Sequence, residues 1–198
     1  MIIGPKIYGL VLAGGKSTRM GKDKGMIQYH GMPQREYLYH LLSRVCAETF
    51  VSIRSDQKAD FDERMQTIVD DDAYKGPYNG ILSAHSKFPD VAWLVVACDM
   101  PLIDLASLQE LIAARDPNVL ASAFAQKEDP LPEPLCAIWE PQGMDKSKAY
   151  LKEGIGTCPR KFLINNETKL VFPSKPNVLL NANSEEEYKE AIVRLSIE

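Results

Sequence analysis

The sequence predicts an α/β fold, a single-domain three-layer sandwich whose sheet is mostly parallel and covered by helices on both faces. Three observations lead there. Short apolar runs alternate with segments of helical periodicity, the pattern of strand–helix units. The first such run, Ile7–Leu12, is followed directly by a glycine-rich loop. Trp93–Ala97 is near-continuously apolar, as a central parallel strand buried on both faces should be. No stretch of the 198 residues reads as a linker. A chain of this size buries roughly 70% of its unfolded surface, enough to fold without staples.

The elements follow in order. Ile7–Leu12 is rich in β-formers and reads as a buried first strand. Pro33 suits the first turn of a helix, and Leu38, Leu41, Leu42 and Val45 recur along one helical face. Thr49–Ile53 and Thr67–Val69 are the second and third strands. Gly76-Pro77 punctuates before a helix over Tyr78–Lys87. After the strand Trp93–Ala97 come a helix over Asp104–Ala114 and a strand over Val119–Ala123. Gln126–Pro134 carries three prolines and three acids and is a loop. Leu135–Trp139 is a strand, Met144–Lys152 a helix, and Val178–Leu180 a late short strand. Ser184 with Glu187 three residues on forms a capping box that opens a final helix, Glu185–Leu195.

Composition narrows the function. The net charge is −4, which gives no global attraction to nucleic acid or to an anionic membrane. A polyanionic ligand must be held by a local basic site. The four cysteines, with only three histidines, form no CxxC pair and no zinc-like cluster, so they read as reduced thiols. Residues 1–6 lack the apolar core of a signal peptide, and Val91–Cys98 is far too short to span a bilayer. These features suggest a cytoplasmic protein.

Such a basic site stands after the first strand. Residues 13–24 read AGGKSTRMGKDK, with three glycines, four basic residues and two hydroxyls. Glycines let main-chain N–H groups approach a phosphate chain and form a concave nest. Lys16, Arg19, Lys22 and Lys24 supply charge for a triphosphate. Neither GxxxxGK[ST] nor GxGxxG is matched, which excludes the two commonest phosphate loops. The competing reading is a solvated basic loop with structural glycines. Asp99 directly follows the apolar run Trp93–Ala97. A carboxylate at that strand end lies where open α/β sheets bind ligands, and one or two carboxylates with substrate phosphates suffice for Mg²⁺. A helix N-cap is the structural alternative for Asp99. Asp70, Asp71 and Asp72 make an acidic trio after the third strand.

Leu12-Ala13-Gly14-Gly15-Lys16-Ser17-Thr18-Arg19-Met20-Gly21-Lys22-Asp23-Lys24 resembles the LAGGxSxRMGxDK signature of the molybdenum cofactor guanylyltransferases. The resemblance extends over about residues 7–190. Gly76-Pro77 with Gly80-Ile81 is similar to the family's GPLxGI turn, Cys98-Asp99-Met100-Pro101 to its CDMP motif, Pro134-Leu135 before Trp139 to a PL-initiated strand, and Asn181-x-Asn183 to a late NxN segment. It implies a Rossmann-like nucleotidyltransferase fold that transfers GMP from GTP to a molybdopterin-type cofactor with Mg²⁺. It also implies that Leu12, Ala13, Gly14 and Gly15 shape the nucleotide site and that Lys24 contacts the triphosphate. Arg19, Lys24 and Asp99 carry the chemistry, with Asp99 on the metal. An aspartate is implied at the base, with Asp70 the better match by spacing and Asp71 left open. Carboxylates suit guanine because they accept from its N1–H and N2–H₂ edge.

For the acceptor the candidates are Pro130–Leu135, above all Leu135, with Arg160, Lys161, Asn181 and Asn183. The two asparagines would share one face of an extended segment. Three departures bear on base and acceptor choice: Tyr78-Asn79 where the family has Leu-Ala, Ser52 near an Asn position beside the base, and Ser184-Glu185 for Thr-Pro. A cytidylyltransferase on the same cofactor is the nearest rival, though those relatives typically carry Ala at Gly14. A non-catalytic nucleotide-binding protein is a second rival, opposed by the retention of Arg19, Lys24 and Asp99. Cofactor-delivery or acceptor proteins fit as partners; nucleic acid and membrane do not.

Overall fold

A computed structural model describes residues 4–14, 23–61 and 64–197. The strands are β1 (Ile7–Leu12), β2 (Glu48–Ile53), β3 (Thr67–Val69), β4 (Ala92–Ala97), β5 (Ala121–Phe124), β6 (Cys136–Trp139) and β7 (Thr168–Val171). They form a sheet in the order β3-β2-β1-β4-β6-β5-β7. β3, β2, β1 and β4 are mutually parallel, β6 runs antiparallel to both β4 and β5, and β7 returns parallel to β5.

The helices are α1 (Gln34–Ser43), α2 (Tyr78–Lys87), α3 (Leu105–Ala113), α4 (Pro141–Lys152), α5 (Pro159–Ile164) and α6 (Glu185–Leu195). Their layering follows from strand alternation, which sends successive side chains to opposite faces. In β4, Leu94 and Val96 join a core with Leu38 and Leu42 of α1 and Leu108 and Leu111 of α3. Trp93 and Val95 point the other way, toward Ile81 and Leu82 of α2, Met144 of α4 and Phe162 of α5. The three-layer expectation therefore holds, with every residue of β4 buried.

Local chemistry sets the helix ends. Asp104 caps α3 by accepting from the Ser107 N–H at 2.8 Å. Pro141 and Pro159 occupy the first turns of α4 and α5, where a missing N–H costs nothing. The capping box at Ser184 is present as read from the sequence. α6 packs apart from the two main cores: Ala191 and Tyr188 close on Tyr29 and Ala182. That small core joins the segment after Asp23 to the segment before α6.

One expected strand is corrected. Residues 176–179 form a short 3-10 turn. Pro176 fixes φ and removes a ladder donor, and the apolar residues Val178 and Leu179 bury themselves without pairing. The sheet edge is taken instead by β7, which the sequence reading did not identify. Its TKLV is short and only partly buried, so no apolar run marks it.

Candidate active site

The sheet order reverses direction at β1 and β4, neighbours whose connections leave to opposite sides. Ligands in open α/β sheets gather outside the carboxyl ends of the strands at such a point. Four parallel strands deliver their C-terminal residues to this edge: Asp70 after β3, Ser52 and Arg54 from β2, Ala13 and Gly14 after β1, and Asp99 after β4. β6 is antiparallel, so its beginning arrives at the same edge; the Ala97 N–H donates to the Leu135 carbonyl at 3.1 Å. Together these groups line a cleft of about 520 Å³, with Leu12, Lys24, Asn79 and Gly80 among its other walls.

The end at β3 is built around Asp70. Ser52 Oγ donates to Asp70 Oδ1 at 2.7 Å, and Asn79 Nδ2 lies 3.5 Å from Asp70 Oδ2. Burial pushes the Asp70 carboxyl up to about 6, opposed by the Ser52 hydrogen bond and reinforced by the negative charge of Asp72. Two glycines are required by this packing. A Cβ on Gly14 would sit 2.9 Å from Asp70 Oδ2, and one on Gly80 only 2.2 Å from Ser52 Oγ. An alanine at position 14 would contest the space of the carboxylate, and one at position 80 the space of the Ser52 hydroxyl that holds it.

At the other end Lys24 and Asp99 face each other, with Nζ 3.5 Å from Oδ2. The Lys24 ammonium also donates to Asn183 Oδ1. Asn183 is held in turn, its N–H donating to Glu187 Oε2 at 2.7 Å, and the Asp99 carbonyl accepts from the Ala182 N–H at 2.7 Å. The start of α6 is thus fastened to both groups. Among the described residues Asp99 Oδ1 is buried with no hydrogen-bond partner, an arrangement that costs free energy unless something else satisfies the oxygen. A cation would do so, and the other oxygen already faces a cation. Among the described residues no cluster of three or more His, Cys, Asp or Glu could hold a metal alone. One carboxylate completed by substrate phosphates matches the way Mg²⁺ is usually held.

The remaining sequence-selected residues are distributed unevenly. Leu12, Ala13, Gly14, Lys24, Ser52, Asp70, Asp99 and Leu135 line one cleft. Asn183 touches that cleft through Lys24, whereas Asn181 turns its amide to the Leu179 carbonyl at 3.4 Å. Arg160 is about half exposed and engages Glu133 and the Pro132 carbonyl. Burial raises the Glu133 carboxyl despite that arginine. Gly15 and Arg19 lie outside the described residues. Trp139 is fully buried core, its indole N–H tying Pro134 at 2.9 Å.

Sequence reasoning missed two supports of the loop. Arg54 donates to the Gly14 carbonyl at 3.0 Å. Gln57, 3% exposed, donates to Asp23 Oδ2 at 2.8 Å and to the Ala13 carbonyl at 3.4 Å. Neither stands in a motif or a periodic pattern; the tertiary approach of β1 and β2 brings them to the loop.

Known proteins resemble this chain in sequence and in fold. The chain is 37% identical over 183 residues to a molybdenum cofactor biosynthesis bifunctional protein of Synechocystis, covering 92% of this chain but 52% of that one. It thus spans about half the length of that relative. It is 26% identical to a molybdenum cofactor guanylyltransferase of Shewanella sediminis, covering 93% and 95% of the two chains. Among solved structures it resembles molybdopterin-guanine dinucleotide biosynthesis protein A from Archaeoglobus fulgidus, with a TM-score of 0.78, 20% identity, and 96% and 100% coverage. A nucleotidyl transferase from Methanothermobacter shares the fold at a TM-score of 0.72, 18% identity, and 97% and 100% coverage. Residues 9–168 match the MobA-like NTP transferase domain, and on that match the chain belongs to this family and is a nucleotidyltransferase.

Proposed function

We propose that this chain transfers GMP from GTP to a molybdopterin-type acceptor in the cytoplasm, forming the guanine dinucleotide and releasing pyrophosphate. The observation that carries this reading is the shared cleft, with an acceptor-only group, Asp70, at one end and a cation–carboxylate pair, Lys24 and Asp99, at the other. The two ends hang from β3 and β4, three strand spacings or roughly 14 Å apart along the sheet edge. A nucleoside triphosphate laid across that edge meets Asp70 with its base and Lys24 with its phosphates.

Each group has a distinct task. Asp70 accepts from the N1–H and N2–H₂ edge of guanine, and Gly14 leaves the carboxylate its space. The main chain at Leu12–Gly14, with Gly15 in the sequence motif, lines the nucleotide. Lys24 and Arg19 hold the phosphate charge that grows as pyrophosphate departs. Asp99 would hold Mg²⁺, which when bound neutralises phosphate charge and fixes the geometry of the triphosphate. Asn183 steadies the Lys24 ammonium. Leu135, with Arg160 and Asn181 farther out, borders the side from which the acceptor phosphate attacks in line. Positioning and charge stabilisation suffice for such a transfer, with no covalent intermediate.

The test is nucleotide-dependent pyrophosphate release with Mg²⁺ and a molybdopterin-type acceptor, comparing GTP, CTP, ATP and UTP. A GTP preference supports the reading. A CTP preference keeps the chemistry and overturns the base assignment. Tight nucleotide binding without release for any NTP overturns the transfer to this acceptor.

A further inference from the structure

The loop between β3 and α2 carries Asp70, and it is unusual in shape. Asp72 has φ of +53°, in the left-handed region that a non-glycine residue visits at a cost. The loop is fastened to the first two turns of α2 at three places. Ser83 Oγ accepts from the Asp71 N–H at 2.9 Å. Asn79 Oδ1 accepts from the Tyr74 N–H at 3.2 Å. Asn79 Nδ2 reaches both Asp72 Oδ1, at 3.3 Å, and Asp70 Oδ2, at 3.5 Å. A single neutral amide thus stands between two carboxylates and closes the loop behind them.

Its placement follows from its address. Asn79 is the second residue of α2, next to Gly80, whose missing Cβ lets Ser52 approach. Ser52 fixes one oxygen of Asp70 and Asn79 leans on the other, so rotation about the Asp70 Cβ–Cγ bond is restrained from both sides. Asp71 and Asp72 on its own loop act on the Asp70 charge; Arg54 after β2, and farther along Asp23, Lys24 and Asp99, are charged groups of the same cleft.

We infer that Asn79 is a positioning residue for base selection: by holding Asp70 Oδ2 and separating it from Asp72, it aims the second carboxylate oxygen at a purine amino group. This rests on the reading of Asp70 as the guanine-facing group. The oxygen held by Ser52 meets N1–H, common to guanine and hypoxanthine. The oxygen held by Asn79 meets N2–H₂, which hypoxanthine lacks. Asn79 therefore acts on the discrimination between GTP and ITP and not on nucleotide binding at large. It also favours the ionised carboxylate, since its amide donates to Asp70 and screens Asp72.

The experiment measures Kd for GTP and ITP by calorimetry between pH 5 and 8, for the full chain and three variants, with thermal unfolding as a check on folding. Asn79→Ala removes donor and acceptor. Asn79→Asp keeps the acceptor for the Tyr74 N–H but replaces the donor with a third carboxylate. Both are expected to lower the GTP/ITP preference about three- to tenfold, the worth of one net hydrogen bond, and to move the pH midpoint of GTP binding upward. Were Asn79 only a loop fastener, Asn79→Asp would retain the GTP/ITP preference whatever its added charge does to the midpoint, and the inference would be overturned. Asp70→Asn separates the two claims. If it abolishes the GTP/ITP preference while both Asn79 variants keep it, the positioning role alone fails. If Asp70→Asn itself keeps the preference, the guanine reading fails and this inference with it.

Discussion

The two ends of the cleft are each built around one carboxylate, Asp70 and Asp99, and their surroundings differ in sign. Asp70 has neutral donors from Ser52 and Asn79 and further aspartates beside it. Asp99 has an ammonium at 3.5 Å and one buried oxygen with no partner among the described residues. The same functional group thus serves opposite purposes. At one end, burial and like charge make ionisation costly, so the carboxylate gains most from a ligand that brings N–H donors. At the other, the bare oxygen gains most from a cation. The supports differ as well: Asp70 is fixed by β2 and α2, Asp99 by the chain entering α6.

The largest expected effect comes from breaking the cationic end. Asp99→Asn keeps shape but removes the charge. Pyrophosphate release should fall 10²–10³-fold or more, as when one aimed electrostatic group is lost, ~2.7–4 kcal/mol in the barrier. Thermal unfolding should change little, because Asn leaves a buried polar atom at the same position and gives up only one partly exposed ion pair. Turnover kept at wild-type level under low Mg²⁺ would remove Asp99 from the metal site.

Next in size is Gly80→Ala, aimed at the basic geometry of the other end. Its Cβ would need the space of Ser52 Oγ, 2.2 Å away. Relief requires moving Ser52 off Asp70 or shifting α2, and overpacking of this kind costs about 1–3 kcal/mol. Binding of GTP should weaken while the dependence of the reaction on Mg²⁺ concentration stays where it was. A variant with unchanged stability and GTP affinity would show that the Gly80–Ser52 approach does not matter.

How much of this was legible in the sequence tracks the physical reach of each signal. The fold was, because β1 and β4 are apolar runs and α6 announces itself by Ser184 and Glu187. The residues 12–14, 24 and 99 were, because a glycine-rich loop and a carboxylate after a buried strand are local patterns. The aspartate at the base could be narrowed only to a pair; of the two, Asp70 lines the cleft and meets Ser52, a contact that depends on strand register. Arg54 and Gln57 were invisible, since the loop groups they hold lie more than thirty residues away in sequence. β7 and the turn at 176–179 were exchanged because edge strands need little burial, and a buried apolar triplet after proline mimics one.

A smaller effect, of opposite direction for folding and for binding, is expected from Asp70→Asn. The Asp70 carboxyl is raised to about 6, chiefly by burial, against an unfolded value near 4. The folded state therefore holds a proton that the unfolded chain releases between about pH 4 and 6. Stability is lost as pH rises through that window, and at pH 7 the deficit is complete. Removing the charge should return about 1–2 kcal/mol at pH 7, allowing for solvent screening of a partly exposed group, and almost nothing at pH 4. GTP binding runs the other way. It needs the carboxylate, so wild-type affinity should fall below pH 6 and the variant should be weak and flat across the range. Unfolding curves and titrations at pH 4.5 and 7 read both signs.

The smallest effect tests whether the two ends are supported independently. Ser184 caps α6, its Oγ accepting from the Glu187 N–H at 3.2 Å, while Glu187 reaches back to the N–H groups of Asn183 and Ser184. Ser184→Ala should cost about 1 kcal/mol of stability, as N-cap losses do. The helix start it loosens carries Asn183 to Lys24 and Ala182 to the Asp99 carbonyl, and none of the groups around Asp70. Pyrophosphate release should therefore drop several-fold while GTP/ITP preference and its pH midpoint stay fixed. A matching loss of base preference would mean that α6 reaches across the cleft, and that the two carboxylates are set by one structure and not by two.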